Sequence, residues 1–349
     1  MQRAWNDWRS KLTERLYLDH AATTPVLEQA RAAMADGLAR WANPSSPHAE
    51  GRAARAALEE ARARIVEALG WTGALIFTSG ASEALAIALA RAKAATHRVS
   101  PVEHDAVLRV VPDAARFAVD ERGIVERGAY EGLSVIQHVN NETGVIQPLE
   151  RGQGLLLADC AQSAGKLPLP DADFIAISAH KLGGPPGIGA LLVRDLATLQ
   201  PSGGQEQGYR AGTENLPAIL GFAAALDARG AWMDRAAELR RRLENAIAAE
   251  VIAVSSPRIP TIGAYRMPGV AATAQLIQFD MAGIAVSAGS ACSSGSMKPS
   301  HVLAAMGMPE AAAREAIRVS FGPQTSAADI DRFAGEWSRI AERARARAA

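Results

Sequence analysis

The sequence has few cysteines, few aromatic residues and no net charge. It contains 2 cysteines in 349 residues, 5% aromatic residues, and 37 basic residues balanced by 37 acidic ones. Two cysteines cannot build a disulfide framework, and the amino-terminal residues lack the apolar core of a signal peptide, so we expect a cytoplasmic protein. Because the charges balance, the protein has no net positive charge that would attract nucleic acid or an anionic membrane, and this favours a small-molecule substrate.

Long apolar runs and the common nucleotide and metal motifs are missing as well. No apolar run approaches the roughly 20 residues that cross a bilayer, so we expect no membrane partner. The sequence has no glycine-rich fingerprint followed by an acidic ribose ligand, no Walker-type lysine, and no paired-cysteine or His-Glu-x-x-His spacing. These absences disfavour dehydrogenases, ATPases and zinc hydrolases, and we expect no resident metal.

The elements that are present predict an α/β protein. A chain of 349 residues exceeds the usual size of a single core, so we expect two domains. Helix-forming residues predict a helix over 48–69, a long connecting helix from 216 to about 251, and an amphipathic last helix from 327 to about 347. Short apolar runs that alternate with helical or looped stretches predict a mostly parallel sheet covered by helices. These runs are 74–77, 133–136, 155–157, 174–177 and 190–193.

Lys181 and Asp159 are the strongest chemical signal. Lys181 follows the apolar run 174–178, and Asp159 ends the run that begins at Leu155. Ligands of open α/β sheets bind where such strands end. An amine that forms a covalent link and an acid on a pyridinium nitrogen are typical of pyridoxal phosphate. The alternatives are a surface-loop lysine and a capping aspartate, but the pair is far more specific than either residue alone.

Other candidates gain weight only beside this pair. The segment 78–82 precedes a predicted helix and can bind phosphate through Ser82 and the helix amino terminus, although Ser79 or Ser82 can equally cap that helix. His104 can stack on an aromatic ring or have a structural role. Asn141 and Gln162 can bond a ligand oxygen or form turns. The polar loop 203–213, with Arg210 and Thr213, is a weak phosphate signal.

Two further residues suggest a second reactant. Cys292 lies in the small-residue run 287–296, where it is either a nucleophile on a mobile loop or an incidental thiol. Arg318 is a charge inside an apparent strand, so it needs a structural carboxylate partner or the carboxylate of a substrate. Cys160 is interpreted as a small buried apolar residue.

In its order of motifs the sequence resembles the cysteine desulfurases, which are pyridoxal phosphate enzymes with the aspartate aminotransferase fold. The resemblance covers nearly the whole chain. The matching motifs are Tyr17-Leu-Asp-His-Ala-Ala-Thr-Thr-Pro25, Asn43-Pro-Ser-Ser46, Thr78-Ser-Gly-Ala-Ser-Glu83, Glu103-His104, His138-Val-Asn-Asn-Glu142, Asp159-Cys-Ala-Gln162, Ser178-Ala-His-Lys181, Arg210-Ala-Gly-Thr213, Ser290-Ala-Cys292 and Ile317-Arg-Val-Ser320.

The resemblance implies a fold and a set of residue roles. It implies fold type I, with a large domain over 16–232 that holds a mostly parallel seven-stranded sheet. A smaller α+β domain would comprise 1–15 and 233–349. The implied ligands of pyridoxal phosphate are Ala81, Ser82, His104, Asn141, Asp159, Gln162, Ser178, His180 and Lys181, with Thr213 completing the phosphate site from the other subunit of a homodimer.

The resemblance also implies the reaction. Arg318, with Asn141, would hold the carboxylate of L-cysteine, and Lys181 and His104 would act at the cofactor. Cys292 would attack the substrate sulfur and carry it as a persulfide to an acceptor or scaffold protein, for iron–sulfur cluster assembly or another sulfur pathway. Cys292 could also ligate an iron–sulfur cluster transiently.

Two departures from the family and several alternatives stay open. The stretch between Asn141 and Asp159 is too short for a full crossover helix. The stretch after Glu83 has lost the polar groups usual in the family. A selenocysteine lyase would use the same residues, and another lyase or aminotransferase would not need Cys292. A partner-binding scaffold with a decayed site is the non-enzymatic alternative.

Overall fold

A computed structural model describes residues 15–289 and 299–348. The strands are β1 (Leu16–Tyr17), β2 (Ala74–Thr78), β3 (His97–Val99), β4 (Ala115–Arg116), β5 (Ala118–Val119), β6 (Val125–Glu126), β7 (Leu133–Gln137), β8 (Leu155–Asp159), β9 (Phe174–Ser178), β10 (Gly189–Val193), β11 (Glu250–Val251), β12 (Ile262–Arg266), β13 (Ile284–Ala285) and β14 (Ala316–Ser320). The α-helices are α1 (Glu28–Ala39), α2 (Ala49–Leu69), α3 (Ala81–Arg91), α4 (Asp105–Leu108), α5 (Leu216–Asp227), α6 (Met233–Ala246), α7 (Ala272–Met281), α8 (His301–Ala305), α9 (Glu310–Ala313) and α10 (Ala327–Ala348).

A sheet of seven strands forms the centre of the molecule. Its order is β2-β10-β9-β8-β7-β3-β4. Strand β10 pairs antiparallel with β2 and β9, and the other neighbours pair in parallel. Strands β7, β9 and β10 are buried along their whole length, as expected for a sheet covered on both faces. The predicted α/β architecture with a mostly parallel seven-stranded sheet is confirmed.

Local sequence explains where the predicted helix over 48–69 begins and ends. Helix α2 covers Ala49–Leu69, and His48 caps it because its Nδ1 accepts a hydrogen bond from the Gly51 N–H at 3.2 Å. The helix ends at Gly70, which adopts φ 63°, a left-handed conformation that favours glycine.

The long helix predicted from 216 to about 251 is wrong. The chain forms two helices there, α5 and α6, and continues into β11. Gly230 lies between the helices at φ 61°, and Ile247 adopts extended backbone after α6. Residues that favour helices occur on both sides of the turn at Gly230, so composition alone did not reveal the break between the two helices.

The carboxyl-terminal elements form a second apolar core. Strands β11, β12 and β14 make a three-stranded antiparallel sheet, and β1 pairs in parallel with β13. The predicted stripe of α10 is confirmed, because its large apolar residues are buried in this core with the side chains of α6 and α7. These residues are Ile330, Phe333, Trp337 and Ile340. The domain boundaries near 16 and 232 remain a prediction.

Two other expectations concern connections and membranes. No helix lies between β7 and β8, as the short stretch between Asn141 and Asp159 predicted. In the ranges 15–289 and 299–348, no helix combines the length and the apolar character needed to span a bilayer.

Candidate active site

A cavity of about 460 Å³ lies where several strands of the central sheet end. Strands β7, β8 and β9 run in parallel and end at Gln137, Asp159 and Ser178, and β2 ends at Thr78 at the same edge. Such an edge is the usual ligand crevice of an open α/β sheet. Among the predicted site residues, the cavity is lined by Ala81, Ser82, His104, Asn141, Asp159, Gln162, Ser178, His180, Lys181 and Arg318.

The amino terminus of α3 faces this cavity. Gly80 precedes the helix at φ 153°, and neither Ser79 nor Ser82 caps it through a side-chain hydrogen bond. The alternative that these serines serve as helix caps is therefore wrong. The first backbone N–H groups of a helix have no partner within the helix, so this end of α3 can bind an anion.

Lys181 lies on a short 3₁₀ turn that directly follows β9. Its Nζ donates hydrogen bonds to the carbonyl oxygens of Ala21 and Ala22, at 2.6 and 2.7 Å. Burial lowers the pKa of Lys181 to about 8, and the cation of Arg318 contributes to that shift. The amine is therefore much easier to deprotonate than an exposed lysine.

Asp159 is a buried carboxyl at the end of β8. Its Oδ1 accepts a hydrogen bond from the Ala161 N–H at 2.9 Å. Burial raises the pKa of Asp159, although His104 and Lys181 act in the opposite direction. A cation bound in the cavity beside this carboxyl would stabilise its charged form.

His104 and Gln162 line the same cavity, and each can still form hydrogen bonds to a ligand. His104 is exposed, and its Nδ1 accepts a hydrogen bond from the Ala106 N–H at 3.1 Å. Desolvation lowers the pKa of His104, which favours the neutral ring. The Nε2 of Gln162 donates to the Ala21 carbonyl at 2.9 Å, while its buried Oε1 accepts no hydrogen bond from the described residues.

The sequence predicted either a structural carboxylate partner or a substrate carboxylate for Arg318. The structure shows a carboxylate partner, Asp19, and also places Arg318 in the cavity lining. It is 4% exposed on β14, and its Nη2 donates to Asp19 Oδ1 at 2.7 Å. Its Nη1 donates to the Asn141 carbonyl at 3.0 Å, and its Nε is buried without a partner among the described residues. The guanidinium therefore retains donor capacity beside the cavity.

Two predicted residues, Thr213 and Cys292, are absent from the described lining of the cavity. Thr213 is exposed and is not among the lining residues. Cys292 lies outside the described residues, so its surroundings stay a prediction; Gly289, just before that stretch, lines the cavity. Cys160 is buried, which confirms its interpretation as a core residue. No cluster of metal-ligating side chains occurs within 15–289 and 299–348.

Sequence reasoning missed the groups that surround Lys181 and Arg318. The carbonyls of Ala21 and Ala22 have no side-chain signal, and nothing local identifies Asp19 as a partner of Arg318, 299 positions away. The motif 17–25 was the available signal, but it does not say which atoms it contributes. Glu83 was also missed: it accepts from Arg210 Nε at 3.0 Å and from the Ser79 N–H, which links the loop 203–213 to the start of α3.

Comparison with known proteins gives a consistent family. Residues 16–333 match the family Aminotransferase class-V. A cysteine desulfurase of Cereibacter sphaeroides is 37% identical and aligns with 92% of this chain and 94% of its own length. Cysteine desulfurase IscS 1 of Archaeoglobus fulgidus is 34% identical over 94% of this chain and 97% of its own.

Solved structures agree with these relatives. The NifS-like protein of Rickettsia africae superposes with a TM-score of 0.84 at 28% identity, over 94% of this chain and 100% of its own. A protein named SspA, solved in complex with cysteine, superposes with a TM-score of 0.76 at 29% identity, over 89% of this chain and 100% of its own. The chain therefore belongs to the aminotransferase class-V family and, within it, to the cysteine desulfurases.

Proposed function

We propose that this chain converts L-cysteine to L-alanine and that Cys292 takes up the sulfur as a persulfide. The observation that carries the proposal is the environment of Lys181. Its amine lies at a cavity that Asp159, His104 and Arg318 also line, and its pKa is lowered to about 8. The lowered pKa increases the fraction of neutral amine, which is the form that covalent catalysis by a lysine requires.

Pyridoxal phosphate is the cofactor of this family, and the lining residues fit it. The amino terminus of α3 at Ala81 suits a phosphate. Asp159 would hold the protonated ring nitrogen, and the unpartnered Oε1 of Gln162 would face a polar group of the cofactor. Ser82, Ser178 and His180 would add phosphate contacts, and His104 would stack on the ring.

Bound pyridoxal phosphate supplies an aldehyde for the substrate amine and a ring that withdraws electrons from the substrate Cα. The side chains then move the protons. Lys181 Nζ, once released, would take the Cα proton and return a proton to the product. The carbonyls of Ala21 and Ala22 orient that amine through its two hydrogen bonds.

Arg318 would recognise the substrate carboxylate, together with the side chain of Asn141. The guanidinium is held in place by Asp19 and by the Asn141 carbonyl, and its buried Nε adds an unused donor. Desolvated arginine binds carboxylates with defined geometry, so L-cysteine would be oriented before the sulfur is removed.

The Cys292 thiolate would attack the substrate sulfur. The carbon–sulfur bond of L-cysteine breaks, a sulfur–sulfur bond to Cys292 forms, and protons complete L-alanine. One thiol and L-cysteine therefore give one persulfide and L-alanine without an external oxidant or reductant. The persulfide sulfur then passes to an acceptor thiol or protein, and we propose iron–sulfur cluster assembly as its destination.

The proposal includes a homodimer. Thr213 is exposed and lies outside the cavity of its own subunit, which agrees with a role at the phosphate site of a partner subunit. Mixing subunits that carry Thr213→Ala with subunits that carry Lys181→Ala tests this role. A shared site predicts that mixed dimers contain one site with neither substitution.

The central experiment measures L-alanine released from L-cysteine by the pyridoxal-loaded protein in the presence of a reducing thiol. Lys181→Ala and Cys292→Ser should each abolish release, whereas Cys160→Ser should retain it because Cys160 is a core residue. Failure of the unmodified loaded protein to release alanine would refute the proposal, and L-selenocysteine in a parallel assay tests the selenium alternative.

A further inference from the structure

Strand β2 lies at one edge of the central sheet, and two buried side chains cover that edge next to the cavity. Among the described strands, β2 pairs only with β10. On its open side, Glu206 Oε2 accepts from the Phe77 N–H at 2.7 Å, and Arg62 Nη1 donates to the Leu75 carbonyl at 2.7 Å. These side chains take the place of a neighbouring strand, directly before Ser79 and the start of α3.

The same two side chains bind each other as a fork. Arg62 Nη1 and Nη2 donate to the two carboxylate oxygens of Glu206, at 2.7 and 3.0 Å. The Glu206 side chain has no exposed surface, and the Arg62 guanidinium also lies over the Phe77 ring, 4.6 Å from its centroid. Because an arginine–carboxylate fork has a defined geometry, this pair fixes Glu206 relative to β2.

Glu206 anchors the loop 203–213, which has a strained backbone. Glu206 and Gln207 have φ 49° and 59°, a left-handed conformation that residues other than glycine seldom adopt. Such conformations persist where the surrounding contacts enforce them. Gln205 and Arg210 pair through their backbones in both directions, at 2.9 and 3.3 Å, so the anchor beside Gln205 also sets the place of Arg210.

Arg210 pairs with an acid at the cavity. Glu83 lines the cavity at the start of α3 and accepts from the Ser79 N–H, and Arg210 Nε donates to Glu83 Oε1 at 3.0 Å. Burial opposes ionisation of Glu83, but the hydrogen bonds with Ser79 and the Arg210 cation outweigh it and lower the pKa of Glu83. A charged carboxylate at this end of α3 would repel a bound phosphate, and the Arg210 cation offsets that charge.

We propose that Glu206 is a positioning residue: through its fork with Arg62, it holds the loop 203–213 where Arg210 offsets the charge of Glu83 beside the cofactor phosphate. This inference rests on the proposed phosphate site at α3. Apolar residues of similar size often stabilise a core as well as a buried ion pair does, so stability alone does not account for the fork. Neither Glu206 nor Arg62 lines the cavity, so their effect on the cofactor would pass through the loop and Arg210.

The test compares the dissociation constants of pyridoxal phosphate and of pyridoxal, which lacks the phosphate, on the unloaded protein. Arg210→Met and Glu206→Gln should each weaken pyridoxal phosphate binding by about tenfold, whereas pyridoxal binding should stay within about twofold. Glu244→Gln is the matched control. Glu244 also accepts from a buried arginine, Arg258 Nη1, at 3.0 Å, but it does not line the cavity, so neither constant should change.

A second substitution separates positioning from a purely structural role. Glu83→Gln removes the charge that Arg210 offsets, while its amide oxygen can still accept from the Ser79 N–H. Adding Glu83→Gln to Arg210→Met or to Glu206→Gln should therefore restore most of the affinity for pyridoxal phosphate. A loop that only stabilised the fold would show no such recovery.

Milder changes keep the inference testable if Glu206→Gln fails to fold. Arg62→Lys keeps the charge beside Glu206 but loses the fork. Gly203→Ala places a methyl group 2.2 Å from the carbonyl carbon of Arg210, whereas the methyl group of Gly204→Ala meets no described atom within 4 Å outside its own neighbours. Arg62→Lys and Gly203→Ala should both bind pyridoxal phosphate more weakly than Gly204→Ala does.

The opposing outcomes are equally specific. Unchanged pyridoxal phosphate affinity in Arg210→Met or Glu206→Gln, equal weakening of both ligands, or no recovery when Glu83→Gln is added overturns the positioning role. Equal affinities in Gly203→Ala and Gly204→Ala do the same. If the unmodified protein binds no pyridoxal phosphate, the proposed function itself has failed, and this result is distinct from a loss confined to the variants.

Discussion

Two groups of residues that line the cavity are held in place in different ways. The strand-end group, Ala81, Asp159, Ser178 and Lys181, lies at or just after the ends of strands of the central sheet. The cross-chain group, Ala21, Asn141, Gly289 and Arg318, comes from segments that only tertiary contacts bring together. The first group depends on strand register, and the second depends on individual hydrogen bonds between distant segments.

Particular contacts show the contrast. Gly189 pairs with both Ser178 and Thr78, so one residue of β10 aligns the ends of β9 and β2. In the cross-chain group, the Ala21 N–H donates to Ser320 Oγ at 2.8 Å, and Arg318 donates to Asp19. A hydrogen bond between side chains can be removed without changing the register of the sheet. Substitutions in the cross-chain group should therefore change the KM for L-cysteine more than they change the amount of bound cofactor.

The largest expected effect is that of Lys181→Ala in the strand-end group. Loss of the amine would remove the proposed covalent link and the proposed proton carrier, so alanine release should fall by about a thousandfold or more. Release assays and the absorbance of the bound cofactor check this. Lys166→Met is the matched control: the pKa of Lys166 is lowered to about 7, yet it is not among the lining residues, so activity should largely persist. Substantial release by Lys181→Ala would contradict the assignment.

Asp159→Asn should have the next largest effect. The amide keeps the shape but loses the charge that would pair with the ring nitrogen, so kcat should drop by roughly a hundredfold. Steady-state rates on cofactor-saturated protein measure this. Asp173→Asn is the control, because Asp173 is also buried but accepts from the Leu156 N–H at the opposite end of β8. If both variants are less stable but keep the kcat of the unmodified protein, Asp159 has no role at the cofactor.

Arg318→Lys tests the cross-chain group. Lysine keeps the charge but loses the forked geometry, so kcat/KM should fall by about tenfold to a hundredfold, mostly through KM. Cofactor loading should be unchanged, and titration of the bound cofactor verifies this. Arg258→Lys is the control. Arg258 is also buried and pairs with Glu244, but it does not line the cavity, so KM should not change. Loss of bound cofactor in Arg318→Lys would contradict the prediction that the cross-chain group affects substrate binding and not cofactor binding.

The smallest expected effect is a shift in pH dependence. The lowered pKa of Lys181 leaves the amine protonated below about pH 8 and neutral above it. Cofactor incorporation into the unloaded protein should therefore speed up as pH rises through about 8. Removing the Arg318 cation favours the protonated amine, so Arg318→Met should move the midpoint to higher pH. A midpoint near that of an exposed lysine, about 10.4, would show that burial does not act on this amine.

The sequence predicted the strand-end group well for a physical reason. An apolar run that ends in a polar residue identifies a strand and its end, and parallel strands end at one edge of the sheet. This pattern identifies Lys181 and Asp159 from the sequence alone. Composition failed at Gly230, where helix-forming residues continue through a turn.

Prediction of the cross-chain group was incomplete. Arg318 was recognised as a charge in a strand, but its pairing with Asp19 was not. The Lys181 partners, Ala21 and Ala22, contribute carbonyl oxygens that every residue possesses. Glu142 belongs to the motif 138–142, but no pattern around it indicates that it accepts a hydrogen bond from Ser300, 158 positions away.

The sequence by itself determined the α/β class, the strand ends and the polar residues that lie at those ends, because periodicity and local composition encode burial and element boundaries. Only the tertiary structure decided which carbonyls orient Lys181, which acid pairs with Arg318, and which hydroxyl donates to Glu142. These contacts join segments far apart in the chain, and their geometry depends on how the two cores pack together.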